Sequence, residues 1–253
     1  MKLYIIPIQT RCNASCTFCI TRYRQESGWG ETLNLSSLDQ IKNLDIEKIE
    51  ITGGGEPLLH PQINEIIQKS CDKVFTQLYT NGKLLNKLTL KSFRCLNKLC
   101  ISRAHFDSRE NQKLMGIDIR DQDLIPFIKK VKTKFSLVLT LSGISTYDDI
   151  IKYIDWVSSV GGQEIVIRRM FIFDYPSSIK NETNIDLDKI IGQLKSNFKV
   201  ESETDEKIFF VIHKIPVEIE LRSCDCELNH PILRPNGKLY FGWGKNEYNP
   251  KNT

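Results

Sequence analysis

Six times between residues 3 and 173 a short apolar, β-branched run is followed by a longer segment of helical period. The runs fall at 3–8, 48–52, 74–80, 98–102, 136–142 and 164–170. Each is short and apolar enough to be buried on both faces, the mark of parallel strands covered by helices. Parallel neighbours need a crossover connection, and the segments between the runs have the length and helix signals for one. Ser36 and Ser37 precede Leu38, Ile41 and Leu44, and Pro61 opens Ile63, Ile66 and Ile67. Ser145, with Asp148 three residues on, reads as a capping box before Ile150, Ile151, Ile154 and Val157, and Gly161-Gly162 stops that helix. Six such units with right-handed crossovers predict an α/β fold, a partial (β/α)6 parallel barrel with polar side chains gathered at the carboxyl ends of its strands.

The pattern changes after residue 173. Residues 174–186 are polar and turn-rich and read as a linker, followed by one helix at 187–198 and strand candidates at 208–212, 217–221 and 238–241. Pro235, Asn236 and Gly237 supply a tight turn between Ile232-Leu233 and Leu239-Tyr240. The expected organisation is therefore a barrel over 1–173 and a linker with a small C-terminal α+β extension over 174–253.

Composition removes several classes of function. At 253 residues and 40% hydrophobic content the chain can bury a sizeable core. A net charge of +4 is too mild for a nucleic-acid footprint. Lys129, Lys130, Lys132 and Lys134 alternate with Ile128, Val131 and Phe135, as on the solvated face of an amphipathic helix. No apolar run has the length of a membrane span, and the run at 3–8 is followed by Gln9, Thr10 and Arg11 rather than a cleavage site, so a cytoplasmic location is expected. Of the eight cysteines, three crowd into residues 12–19 while the rest are scattered. That distribution favours metal ligation over a disulfide framework. Cys71, Cys95 and Cys100 fall in helix or strand patterns and read as small buried hydrophobes.

Immediately after the first strand, RCNASCTFC places Cys12, Cys16 and Cys19 in a C-x3-C-x2-C spacing. Three thiolates on one short loop can each hold one iron of a cubic four-iron, four-sulfur (4Fe-4S) cluster, leaving the fourth iron open to a ligand. A zinc knuckle with a fourth ligand elsewhere is the competing, non-enzymatic reading. After the second strand comes Gly53-Gly54-Gly55-Glu56-Pro57, where glycines allow close backbone approach and Glu56 offers negative charge to an ammonium. A plain tight loop is the alternative for that turn.

Together these motifs resemble the radical S-adenosylmethionine (SAM) superfamily, whose signature is this cysteine spacing with an aromatic residue before the last cysteine, here Phe18. The resemblance implies Cys12, Cys16 and Cys19 as cluster ligands, Phe18 near the SAM adenine, and Gly53, Gly54, Gly55 and Glu56 at the SAM amino group. It further implies Asn81, in Tyr79-Thr80-Asn81-Gly82, and Ser102, at the end of the fourth strand, as SAM-site residues. Arg103 and His105 replace the Leu-Asp of many relatives, so they either face substrate or make ordinary structural bonds. Strand alternation favours Arg168 over Arg169 to hold the SAM carboxylate or an anionic substrate group. The implied reaction is reductive SAM cleavage to a 5'-deoxyadenosyl radical that abstracts hydrogen from substrate, with flavodoxin or ferredoxin as electron donor.

Two substrate classes stay open: a peptide or cofactor precursor, as in the peptide-maturation and molybdenum-cofactor branches, or a small metabolite or nucleotide. Cys224 and Cys226 form a C-x-C where those branches often hold auxiliary clusters, but two cysteines do not fill a four-thiolate site, and Trp243 stands where a further ligand is expected. Trp29, flanked by Gly28 and Gly30, is either a cover over the site or a surface loop.

Overall fold

The computed structural model describes residues 1–23, 31–71, 74–170, 177–221 and 230–242. Its strands are β1 (Lys2–Ile5), β2 (Lys48–Ile51), β3 (Phe75–Thr80), β4 (Lys98–Ser102), β5 (Thr133–Leu139), β6 (Glu164–Arg169), β7 (Val200–Glu203), β8 (Lys207–Ile212), β9 (Ile215–Glu220), β10 (Pro231–Leu233) and β11 (Leu239–Phe241). The α-helices are α1 (Ile20–Tyr23), α2 (Ile63–Ser70), α3 (Leu90–Cys95), α4 (Ser108–Met115), α5 (Asp121–Ile128), α6 (Tyr147–Val160), α7 (Ser177–Lys180) and α8 (Leu187–Asn197). All six predicted barrel strands are present, alternating with helical segments. The described residues divide into two compact units, one of 1–13, 31–71, 74–100 and 230–242, the other of 14–23, 101–170 and 177–221.

In the first unit β1 pairs in parallel with β2, Leu3 opposite Ile49, and β2 pairs in parallel with β3. One face of this sheet is apolar, with Leu3, Ile5, Ile49, Ile51 and Leu78 fully or almost fully buried. The other face is not the apolar surface the sequence predicts. Glu50 is buried there and held by Lys48 at 2.7 Å and Lys2 at 3.2 Å, because a buried carboxylate needs paired charge. Beyond β1 lies β10, parallel to it with Tyr4 opposite Ile232, and β11 returns antiparallel to β10. The turn between β10 and β11 is the expected one: Gly237 has φ 80° and donates to the Arg234 carbonyl.

In the second unit β5 and β6 pair in parallel, and β9 joins β6 in parallel with Val217 opposite Ile165. β8 and β7 then continue the sheet antiparallel. Strands from the segment after residue 173 thus extend the sheet in each unit. Phe135 of β5 meets Trp156 of α6 edge to face at 5.0 Å, alongside fully buried Leu137, Ile154 and Val157. On the opposite face Lys134 and Lys207 converge on Glu218. Burial pushes that carboxyl up, but the two ammonium groups outweigh it and pull its pKa down to about 2.

Three local expectations change. The lysine run is not one helix, since α5 ends at Ile128 and β5 begins at Thr133. Lys132 therefore pairs with Glu164 and Lys134 with Glu218 as strand-side ion pairs. The cap of α6 is Thr146, one residue later than predicted, accepting from the Asp149 amide at 3.2 Å. Cys71 and Cys95 are half-buried and paired sulfur to sulfur at the ends of α2 and α3, their Cα atoms 5.4 Å apart, while Cys100 is buried as expected. Adjacent helices bring together residues 24 apart in sequence, which spacing alone does not reveal.

Candidate active site

In the first unit the root of the cysteine loop lies along the glycine-rich turn. The Thr10 amide donates to the Gly54 carbonyl at 3.1 Å, and the Glu56 amide donates to the Arg11 carbonyl at 3.0 Å. Thr10 takes a left-handed conformation, φ 63°, to make this turn. Close approach explains the glycines directly. A Cβ on Gly54 would sit 2.3 Å from the Gln9 side chain, and one on Gly55 only 2.1 Å from the Arg11 carbonyl oxygen.

Glu56 follows them into the interior, 2% exposed. Its Oε1 accepts from the Leu58 amide at 3.0 Å and the Thr80 hydroxyl at 2.6 Å, and its Oε2 accepts from the Asn81 amide at 2.8 Å. Burial pushes its pKa up, and the donors from Asn81, Thr80 and Leu58 oppose that rise. The carboxylate that sequence alone directs toward an ammonium thus serves here as a staple between the turn and the end of β3. Asn81 is buried as well: its Nδ2 donates to Asn13 Oδ1 at 2.7 Å and lies 4.0 Å from the Cys12 sulfur. Cys12 itself is exposed.

In the second unit the rest of the cysteine loop docks on the carboxyl end of α4. The Ser15 amide donates to the Met115 carbonyl at 2.8 Å and the Thr17 amide to the Leu114 carbonyl at 3.0 Å. Those carbonyls have no partner within their own helix, so the loop satisfies them. The Cys16 thiol points at the Met115 carbonyl, 3.9 Å away, and the Cys19 amide turns back to the Cys16 carbonyl at 3.3 Å. Gly116 ends α4 with φ 64°, and a Cβ there would fall 1.8 Å from Ser15 Oγ. Phe18 is half-buried beside the cysteines in sequence, and Ser102 is half-buried at the end of β4.

Arg103 is fully buried with its guanidinium bonded to its own chain, which removes it as a group facing substrate. His105 accepts from the Asp107 amide at 3.0 Å through Nδ1, stacks on Phe106, and has its pKa lowered by burial. Arg168 donates to Glu220 at 2.9 Å, as an ion pair across β6 and β9, and to Ser136 Oγ at 2.7 Å. Arg169 lies on the other face, lining a cleft of about 80 Å³ with Leu139, Met170 and Leu187. Thr80 and the end of α4 escaped the sequence reading. Thr80 stands inside the quoted Tyr-Thr-Asn-Gly run, but its bond to Glu56 has no sequence signature. Cys224, Cys226, Trp243 and the Gly28-Trp29-Gly30 loop lie outside the described residues.

Cys12, Cys16 and Cys19 are reduced thiols, none in a disulfide. Soft sulfur donors on one irregular stretch fit an iron-sulfur cluster, in which each thiolate holds a separate iron. Among the described residues no three His, Cys, Asp or Glu side chains gather around the position of a single ion, and no helix is long and apolar enough to cross a membrane.

Comparison with known proteins agrees. Residues 6–166 match the family model of the radical SAM superfamily. A GTP 3',8-cyclase of Aquifex aeolicus is 30% identical over 145 residues, covering 52% of this chain and 44% of that protein. A tungsten-containing aldehyde ferredoxin oxidoreductase cofactor-modifying protein of Pyrococcus furiosus is 24% identical over 201 residues, covering 76% of this chain and 51% of that one. The chain thus spans about half the length of these relatives. Among solved structures, Streptococcus suis SuiB bound to SAM superposes with a TM-score of 0.66 at 16% identity, over 100% of this chain and 63% of that one. SuiB bound to its precursor peptide SuiA gives 0.57 at 20% identity, over 78% and 45%. These likenesses fix the fold class as the partial (β/α)6 barrel type, and the chain belongs to the radical SAM superfamily of enzymes.

Proposed function

We propose that the chain holds a 4Fe-4S cluster on Cys12, Cys16 and Cys19 and cleaves SAM reductively to act on a peptide or cofactor precursor. The observation that carries this reading is the pair of backbone bonds binding residues 10 and 11 to Gly54 and Glu56, which joins the cysteine loop to the turn that resembles the family's SAM-binding element. Held by Cys12, Cys16 and Cys19, the cluster would supply the one-electron chemistry for reductive SAM cleavage. The chain's own groups position the reactants. Carbonyls of the 53–55 turn offer acceptors to an ammonium, Glu56 and Thr80 keep that turn fixed against β3, and Asn81 braces the segment at Cys12.

Gly53, Gly54 and Gly55 are thus assigned to SAM, with Glu56 acting through them; Phe18 is assigned to the adenine side and Ser102 to the strand-end contact. Arg168 is assigned to an anionic group it would reach by exchanging Glu220. A peptide or cofactor precursor is favoured by the Pyrococcus cofactor-modifying relative and by peptide-bound SuiB. The GTP 3',8-cyclase relatives favour a nucleotide as the second reading. Flavodoxin or ferredoxin is the proposed electron donor.

Anaerobically reconstituted, dithionite-reduced protein is expected to convert SAM to 5'-deoxyadenosine and methionine, and Cys16→Ala to abolish the conversion. Equal turnover by Cys16→Ala would overturn the assignment.

A further inference from the structure

With Arg234, Arg103 is the largest fully buried side chain among the described residues, and its partners are backbone carbonyls and the half-buried side chains of Ser108 and Asp121. A guanidinium cannot shed its charge in a protein, so burial demands an acceptor for each edge of its fork. Its Nε donates to the His105 carbonyl at 2.9 Å, Nη1 to the Ile119 carbonyl at 2.7 Å and Nη2 to Ser108 Oγ at 3.0 Å. Asp121 lies 3.5 Å from Nη2, and the Trp156 ring lies under the guanidinium at 4.9 Å while donating its own N–H to Asp121.

These acceptors sit on both sides of α4. His105 and Ser108 precede or open the helix, and Ile119 and Asp121 follow it. One side chain therefore clamps the chain at its entry to α4 and again after its exit. Inside the helix, buried Asn111 accepts from the Ala104 amide at 2.9 Å, fastening α4 to the same loop. The carboxyl end of the clamped helix is the surface on which Ser15 and Thr17 dock, with the Cys16 thiol between them at the Met115 carbonyl. Gly116 leaves no slack there, since any side chain would strike Ser15.

We propose that Arg103 is a positioning residue for the segment carrying Cys16, acting through α4 as a rigid plate rather than touching cluster or substrate. Lysine does not replace it, because one ammonium cannot span acceptors on both flanks of the helix. The inference rests on the proposed cluster role of Cys16, but its first test does not need the cluster.

Hydrogen–deuterium exchange of the full chain, before and after cluster reconstitution, follows the peptide spanning residues 14–19. Exchange there is expected to rise about tenfold in Arg103→Lys and by a smaller factor in Ser108→Ala, with β5 and β6 unchanged. Ser108→Ala keeps the buried arginine and removes one acceptor, so it gives an answer even where an Arg103 variant folds poorly. Unchanged exchange at 14–19 in Ser108→Ala and Arg103→Lys, or an equal rise in β5 and β6, overturns the positioning role. In the reconstituted protein, Arg103→Lys is expected to broaden the paramagnetic resonance signal of the reduced cluster; an identical signal also overturns it. A wild type that takes up no cluster but shows the local exchange effect would instead refute the cluster reading and leave the plate intact.

Discussion

One substitution, glycine to alanine, has opposite expected effects at two positions, and the difference comes from what a methyl group would meet. At Gly55 the new Cβ would lie 2.1 Å from the Arg11 carbonyl oxygen, a backbone atom that cannot rotate away. Forced overpacking of this kind costs about 1–3 kcal/mol, and here it also pushes the cysteine loop off the turn. At Gly192, an exposed mid-helix position of α8, nothing lies within 4 Å of the added Cβ. Alanine there is expected to stabilise by about 0.5–1 kcal/mol through helix propensity. Urea midpoints check both signs, and equilibrium dialysis of SAM should show weakened retention only in Gly55→Ala. The glycine run was legible at this scale because the chemistry of close approach leaves few residue choices. The fate of Glu56 was not, since a carboxylate beside glycines reads the same whether it meets a ligand or, as here, Thr80 and the Asn81 amide.

Elements were legible where burial imposes a period. β2, β4 and β6 begin at the predicted residues because their apolar runs have abrupt ends, and α6 shows a full apolar stripe from Ile150 to Val157. α4 was invisible for the converse reason. Its sequence SRENQKLM buries Asn111 along with Leu114 and Met115, so no apolar stripe announces it. The face of β5, β6 and β9 that carries Lys134, Arg168, Glu218 and Glu220 was likewise hidden, because strand pairing is a long-range fact. It makes a testable contribution to stability. The folded pKa of Glu218, about 2, lies below its ordinary value of 4.5, so its stabilisation is present above pH 4.5 and is lost as pH falls toward 2. Wild type is expected to exceed Glu218→Gln by on the order of 2 kcal/mol at pH 6, the gap closing as pH is lowered through that window. Urea unfolding of the cluster-free chain at several pH values measures it, and a gap independent of pH contradicts the ion-pair account.

For the molecule as a whole, the six βα units and the two motifs at their strand ends were readable in order, and the family match over residues 6–166 covers the same stretch. The later segment was less readable: β7 and β10 were missed as strands because each is short, and β7 is almost wholly polar. Pairing of β9 with β6 and of β10 with β1 makes that segment part of the sheet in each unit. The central claim is a cluster with one iron left open for SAM. Paramagnetic resonance of the anaerobically reconstituted, reduced chain tests it most directly. A reduced 4Fe-4S signal that changes on adding SAM, and that is lost in Cys12→Ala, Cys16→Ala and Cys19→Ala, is the predicted result. A signal indifferent to SAM, or no cluster signal at all, would contradict the account.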